Sequence, residues 1–442
     1  MTVTSTPSES LSYRIGVDVG GTNTDAVIVD TTLLEDPAKS IIAAKKSPTT
    51  SPSVTDGIKA AVQSVLEESN IDRRRIASLA IGTTHFINAI IEHDERHLSR
   101  VAVVRLSKSF TREVPPFSDF PPRLRKIMRG YCTQVDGGLQ IDGSIEAPIV
   151  ESQVVQECAQ IRQRGIKAVV VSGVFSPLDH HFHQEETVRK IINRELPDVA
   201  VTCSSEISNL GFLERENASI LNASIHGFAQ KTIREFKMAM KDLGLRCGLC
   251  LTQNDGTLLD AVIAARLPIR TFSSGPTNSM RGAAFLCKLY TDGGNTSPTA
   301  IVCDVGGTTS DVGVLLPSGY PRQAVGDVSI AGVRVNYGMP QVESIGIGGG
   351  SIVRRNEDGR VTVGRDSVGY AIRKRSLVFG GDTTTATDVT IAAGVKVEIG
   401  NPDLVAGISH DTIDKTQSVI KLLLRWQIAG VPQSVCIHMA HP

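Results

Sequence analysis

The pentapeptide Asp-Val-Gly-Gly-Thr occurs twice in this 442-residue chain, at residues 18–22 and again at 304–308, each time between two apolar runs. The first copy reads YRIGVDVGGTNTDAVIVD and the second TAIVCDVGGTTSDVGVLLP, so each predicts a β-hairpin with the glycine pair at its tip. Glycines at such a tip let backbone amides approach an anion closely, and threonine adds a hydroxyl donor. The aspartate stands where a magnesium ion and its waters are held. The candidates are Asp18, Gly20, Gly21, Thr22 and Asn23 in the first copy, and Asp304, Gly306, Gly307, Thr308 and Thr309 in the second. Asp18 and Asp304 are the expected metal-coordinating and catalytic pair. Asp25 and Asp311, seven residues on, either support the site or simply end the hairpin. One copy alone is explained by a tight turn; two copies imply related halves that clamp a polyphosphate.

Between the copies, strand and helix patterns alternate. SVTDGIKAAVQSVLEES has helical spacing, RIASLAIGTTHFINAI is a strand turning into a helix, and KAVVVSGVF is a buried strand. This is α/β patterning, and the chain is long enough for two lobes. We place the lobe boundary near residue 205, before the long helix in NASILNASIHGFAQKTIREFKMAMKDLG. The expected organisation is a disordered start at 1–12, a first lobe at 13–205, a second at 206–420 and an atypical tail at 421–442. The tail carries the single tryptophan and reads either as a short helix and tail or as the end of a truncated product, leaving the second lobe incomplete.

Forty-six basic residues balance forty-six acidic ones, so no net field attracts nucleic acid or an anionic membrane. No apolar run reaches membrane-spanning length and the start lacks a signal-peptide pattern, which together predict a cytoplasmic protein. Eight cysteines are too dilute for a disulfide scaffold. Cys247 and Cys250 have CxxC spacing but no second pair to complete a zinc site, so core packing is their expected role.

Three further clusters bear on a ligand. In ESIGIGGGSIVRR, Gly348, Gly349 and Gly350 precede Ser351 and leave the backbone bare for a flat group such as adenine or ribose. In TFSSGPTNSMRGAAFL, Ser274 and Gly275 precede a helix whose free amides favour an anion, although a capped helix start explains the same residues. The turn at Gly82, Thr83 and Thr84 leads into His85, which either touches a substrate or phosphate or packs and caps. His180, His181 and His183 could coordinate a metal, but a helix start explains them more simply.

The ordered set IGVDVGGTNTDAVIVD, LAIGTTHFINAI, VFSPLDHHFHQEETV, ERENASILNASI, SSGPTNSMRGAA, DVGGTTSDVGV and IGIGGGSI resembles the hydantoinase A / 5-oxoprolinase family from about residue 13 to 400. The resemblance implies an actin-like ATPase (ribonuclease H-like) fold with two lobes around a nucleotide cleft. It also implies ATP and magnesium as cofactors, and opening of a cyclic amide such as 5-oxoproline or a hydantoin after phosphorylation of the amide oxygen. It implies a B-type partner subunit or a fused B-type half; a homo-oligomer is a further expectation. Asn23 departs from the family pattern, where an aromatic often stands, which leaves the substrate open. A sugar or small-alcohol kinase of the same fold, and a non-catalytic ATP-binding subunit, are the competing readings.

Overall fold

A computed structural model describes residues 11–20, 23–50, 54–108, 113–209, 211–289, 299–326, 328–395 and 399–428. The glycine tip at Gly21 and Thr22, the start at 1–10 and the tail beyond 428 lie outside the described residues. The chain divides into two compact units: Met1–Gly20, Thr24–Gly275 and Gln323–Met339 form the first, and Gly21–Asn23, Pro276–Arg322 and Pro340–Pro442 the second.

The first unit begins as the expected hairpin, β1 (Tyr13–Val19) and β2 (Asn23–Asp30), then α1 (Pro37–Ser40), β3 (Ile41–Pro48), α2 (Val54–Ser69), β4 (Ile76–Thr83) and α3 (His85–Ile91). Alternation in β1 buries Ile15, Val17 and Val19, while α2 turns Ile58, Ala61, Val62 and Val65 inward at helical spacing. Next come β5 (Val101–Leu106), α4 (Pro122–Met128), β6 (Arg129–Val135), α5 (Glu151–Gln163), β7 (Ala168–Gly173), α6 (Gln184–Glu195) and β8 (Ala200–Cys203). These four strands form one parallel sheet in the order β6-β5-β7-β8. Every residue of β5 and β7 is buried, which is why both read as mostly apolar runs, VAVV and AVVV, rather than alternating ones.

The long helix α7 (Phe212–Asp242) is followed by β9 (Gly248–Thr252), β10 (Leu258–Asp260) and α8 (Ala261–Arg266). β9 and β10 complete a six-stranded sheet ordered β10-β9-β4-β1-β2-β3. The segment after residue 205 therefore finishes a sheet started by β1, and the compact units do not follow a division at that point. Both β9 and α7 belong to the first unit. Where β5 meets α7, Arg105 forms a two-pronged ion pair with Glu216 at 2.7 Å on each prong, and both are almost fully buried. Arg215, also buried, donates to Ser204 and to the Gly173 and Asn209 carbonyls.

The helix α9 (Ser274–Leu286) leads into the second unit. Its first strands are β11 (Ala300–Val305) and β12 (Ser310–Leu315), the second expected hairpin. The chain returns to the first unit as a hairpin, β13 (Val328–Ile330) and β14 (Val333–Val335), whose Ile330, Val333 and Val335 join the first unit's core. It then re-enters the second as β15 (Val342–Ile345), β16 (Ser351–Arg355), β17 (Val361–Ser367), α10 (Ile372–Arg375), α11 (Ala386–Ala392) and α12 (His410–Ile428). β11, β12 and β15 make an antiparallel sheet, and β16 and β17 a separate ladder. Gly313 on β12 is required by packing, because a Cβ there would collide with the Met280 sulfur.

Among the described residues no helix is long and apolar enough to cross a membrane, and no group of three or more His, Cys, Asp or Glu is placed to hold a metal. His183 is the left-handed N-cap of α6, and Asp179 accepts the amides of Phe182, His183 and Gln184 at 2.7–2.9 Å. The histidine run is thus explained by a helix start. Cys247 and Cys250 are half-buried, and burial pushes both thiols up, the opposite of what a reactive thiolate needs.

Candidate functional site

The two hairpins share a register that the sequence spacing only hinted at. Asp18 on β1 pairs directly across from Asp25 on β2, and Asp304 on β11 directly across from Asp311 on β12. Like charges directly opposite one another are unfavourable unless a cation, a hydrogen-bond donor or a proton offsets them. In the first unit Lys46 lies 3.5 Å from Asp25. In the second, no basic side chain among the described residues pairs with either aspartate. Asp304 accepts a hydrogen bond from Ser279 of α9, and Asp311 one from Ser344 of β15. Burial raises Asp311 above the usual carboxylate range, the Ser344 bond opposes this, and the Asp304 charge adds to it.

The tip of the second hairpin is closed by the Gly306 amide donating to the Thr309 carbonyl at 2.8 Å. Thr308 and Thr309 are exposed, and the amides of Gly307, Thr308 and Thr309 have no acceptor among the described residues. Unpaired amides at the tip of a hairpin that carries a pair of facing carboxyl residues are the donor and acceptor types that a magnesium-bound polyphosphate needs. Ser279 and Ser344 went unnoticed in the sequence; only the packing of α9 on the hairpin and the pairing of β15 with β12 show that serines face both carboxylates.

The triple-glycine loop belongs to this same assembly. Gly349 donates to the Gly306 carbonyl at 2.9 Å and Gly350 to the Gly307 carbonyl at 2.7 Å. A Cβ on Gly348 would lie 2.7 Å from both the Gly307 carbonyl carbon and the Thr308 nitrogen, and one on Gly350 2.9 Å from the Gly307 oxygen. The bare backbone is therefore needed first for packing on the hairpin. Ser351 is fully buried, and its hydroxyl accepts the Gly348 amide at 2.9 Å, so it braces the loop from behind. Thr387 adds a second brace by donating to the Gly349 carbonyl.

In the first unit, β4 runs parallel to β1 with Gly82 beside Asp18 and Thr83 beside Val19, which brings the Gly-Thr-Thr turn to the first hairpin. Thr49 donates to the Gly20 carbonyl at 2.8 Å. The Ser274 hydroxyl accepts the Thr83 amide and donates to the Thr83 carbonyl, both at 3.0 Å. Thr83 and Ser274 are buried and act as the joint, whereas Thr84, His85 and Gly275 are partly open. Thr84 and Gly275 touch so closely that a Cβ on Gly275 would stand 3.2 Å from the Thr84 methyl. The sequence clusters at 83–85 and 274–275 are thus one place in the fold. Asn23 opens β2.

Comparison with known proteins agrees with this geometry. The profile of the hydantoinase/oxoprolinase N-terminal region matches residues 14–196, and that of hydantoinase/oxoprolinase matches residues 215–420. The caprolactamase subunit alpha of Pseudomonas jessenii is 25% identical over 394 residues, covering 86% of this chain and 54% of that one. The acetophenone carboxylase gamma subunit of Aromatoleum aromaticum is 28% identical over 290 residues, covering 64% of this chain and 37% of that one. The crystal structure of the ATP-dependent caprolactamase from Pseudomonas jessenii superposes with a TM-score of 0.69 at 21% identity, over 94% of this chain and 62% of that one. The α/β, actin-like fold expected from the sequence is the fold these proteins share. The chain spans about half the length of the curated relatives it matches.

Proposed function

Because the chain belongs to the hydantoinase/oxoprolinase family, we propose that it carries the nucleotide-binding part of an ATP-dependent enzyme that opens a cyclic amide. The observation that carries this reading is the second hairpin, whose tip amides at Gly307, Thr308 and Thr309 have no acceptor among the described residues and whose strands set Asp304 opposite Asp311.

An amide carbonyl is a poor electrophile; ATP would supply a phosphoryl group to its oxygen, and water would add to the activated carbon. The adduct would collapse by breaking the C–N bond to release the ring nitrogen as an amine, and a second water would cleave the resulting acyl phosphate to a carboxylate and phosphate. Asp304 and Asp311 would hold a magnesium ion that neutralises the phosphate charge, with Ser279 and Ser344 fixing the orientation of their carboxyl groups. The tip amides bind phosphate oxygens, and Gly348–Gly350 stiffen the tip by their ladder to Gly306 and Gly307. Asp18, with Gly20, plays the corresponding part on the first hairpin, and Thr84, His85 and Gly275 are the candidate substrate contacts beside it. Gly21 and Thr22, named with them on sequence grounds, lie outside the described residues. A B-type partner subunit is expected; the matched relatives are named as alpha and gamma subunits.

The 28% identity to an acetophenone carboxylase subunit supports a second reading, ATP-dependent carboxylation. Nothing among the described residues singles out the general-base aspartate that a sugar-kinase reading needs. The test is ADP release by the full chain, with and without candidate B-type partners, on 5-oxoproline, hydantoin and caprolactam and on ketones with bicarbonate. Lactam-stimulated release without bicarbonate supports amide opening; strictly bicarbonate-dependent release with a ketone supports carboxylation and rejects it.

A further inference from the structure

Helix α2 starts at the foot of the first hairpin. Thr49, one residue past β3, donates to the Gly20 carbonyl at 2.8 Å, and its hydroxyl meets that of Thr24 at 3.1 Å. Thr24 lies across the hairpin from Val19, so these contacts bind the approach to α2 to the base of the glycine tip. The first turn of the helix is seated against the same place. Gly57 donates to the Thr50 hydroxyl at 2.9 Å, and a Cβ on Gly57 would stand 3.0 Å from the Pro48 carbonyl oxygen and 3.4 Å from Thr24 Oγ1.

An α-helix leaves its first four amides without an intrahelical acceptor. At the start of α2 only Gly57 finds one outside; the amides of Val54, Thr55 and Asp56 have no acceptor among the described residues. Val54 and Thr55 are buried, and the Thr55 side chain repeats the pattern: the residue is 7% exposed and its Oγ1 has no hydrogen-bond partner. Side chains on a helix lean toward its N-terminus, so this hydroxyl points the same way as the unpaired amides. Buried donors without an acceptor are costly, and here three converge on one helix end.

We infer that the start of α2 is a subsite for a small oxyanion, a phosphate or a carboxylate, held by the Val54 and Thr55 amides and the Thr55 hydroxyl. Those groups together with the positive end of the helix dipole favour an anion over a cation or an apolar group. The lysines of β3 are engaged elsewhere, Lys45 with Glu68 and Lys46 with Asp25, so recognition is by neutral donors. Asp56, exposed in the same turn, is a like charge at the rim that weakens binding. Two sources fit a place beside Gly20: phosphate from the nucleotide, or a carboxylate on a lactam such as 5-oxoproline. Only the second source rests on the amide-opening reading above.

The test is thermal melting of the full chain in inorganic phosphate at constant ionic strength, without nucleotide or magnesium, on the wild type, Thr55→Val, Thr55→Ser and Asp56→Asn. Without phosphate, Thr55→Val should melt no lower than the wild type, because it removes an unpaired buried hydroxyl at nearly unchanged shape. Phosphate should raise the wild-type melting temperature. The concentration needed should rise about tenfold or more in Thr55→Val, stay near wild type in Thr55→Ser, and fall in Asp56→Asn. 5-Oxoproline and 2-pyrrolidinone, the same ring without the carboxylate, separate the sources. A Thr55-dependent rise with 5-oxoproline but not 2-pyrrolidinone upholds the subsite as a carboxylate anchor, and one with phosphate alone upholds it as a phosphate site. Equal rises in wild type and Thr55→Val, no rise with either anion, or a Thr55-dependent rise with 2-pyrrolidinone overturns it. If Thr55→Val does not fold, Asp56→Asn decides: a phosphate response no stronger than wild type overturns the subsite.

Discussion

Asp304 and Asp311 stand directly opposite one another across the second hairpin, each anchored by a single serine and neither paired with a cation among the described residues. The same opposition occurs at Asp18 and Asp25, but there Lys46 approaches the pair. In our proposal the second hairpin is where a magnesium ion would be held, since no basic side chain among the described residues pairs with Asp304 or Asp311.

Asp311→Asn separates binding from stability. In the folded chain Asp311 keeps its proton to higher pH than in the unfolded chain. Its ionisation thus costs stability as pH rises from the ordinary carboxylate value through the raised one. The variant should melt at the same temperature as the wild type at acid pH and at a higher one at neutral pH. Its Mg-ATP affinity should fall at least tenfold. Thermal melts across pH, paired with calorimetry, read both effects.

Gly348→Ala places a methyl group against the hairpin backbone at Gly307 and Thr308. Overpacking of this kind costs about 1–3 kcal/mol. Because the strain falls on the amide-bearing tip, nucleotide affinity should drop more than the melting temperature suggests. Gly313→Ala, which meets Met280 instead, should destabilise with a smaller effect on binding. Equal loss of nucleotide affinity in the two variants would contradict the special role of the tip.

The Arg105–Glu216 pair is structural. Glu216→Ala leaves a buried guanidinium without its counter-charge and should cost about 3–5 kcal/mol in denaturant melts. The paired change Arg105→Met with Glu216→Leu should cost much less, because no charge is then stranded.

Much of the fold was legible in the residues. Both hairpins, the α2 and α6 helices, the buried β7 strand and the Gly-Thr-Thr turn follow from local periodicity and turn chemistry. The way the chain returns to the first compact unit was not, because β9 and the β13–β14 hairpin join it through pairings and packing between residues far apart in sequence. The site was legible as separate clusters. That Gly348–Gly350 pack on Gly306–Gly307, and that Ser274 locks Thr83, depends on close approach between distant segments, which spacing does not encode.

The most direct test of the central claim is calorimetric titration of the full chain with Mg-ATP, run in parallel on Asp304→Ala. The account predicts micromolar binding by the wild type and none by the variant, with both folded by circular dichroism. Undiminished affinity in Asp304→Ala, or no binding by a folded wild type, would contradict it.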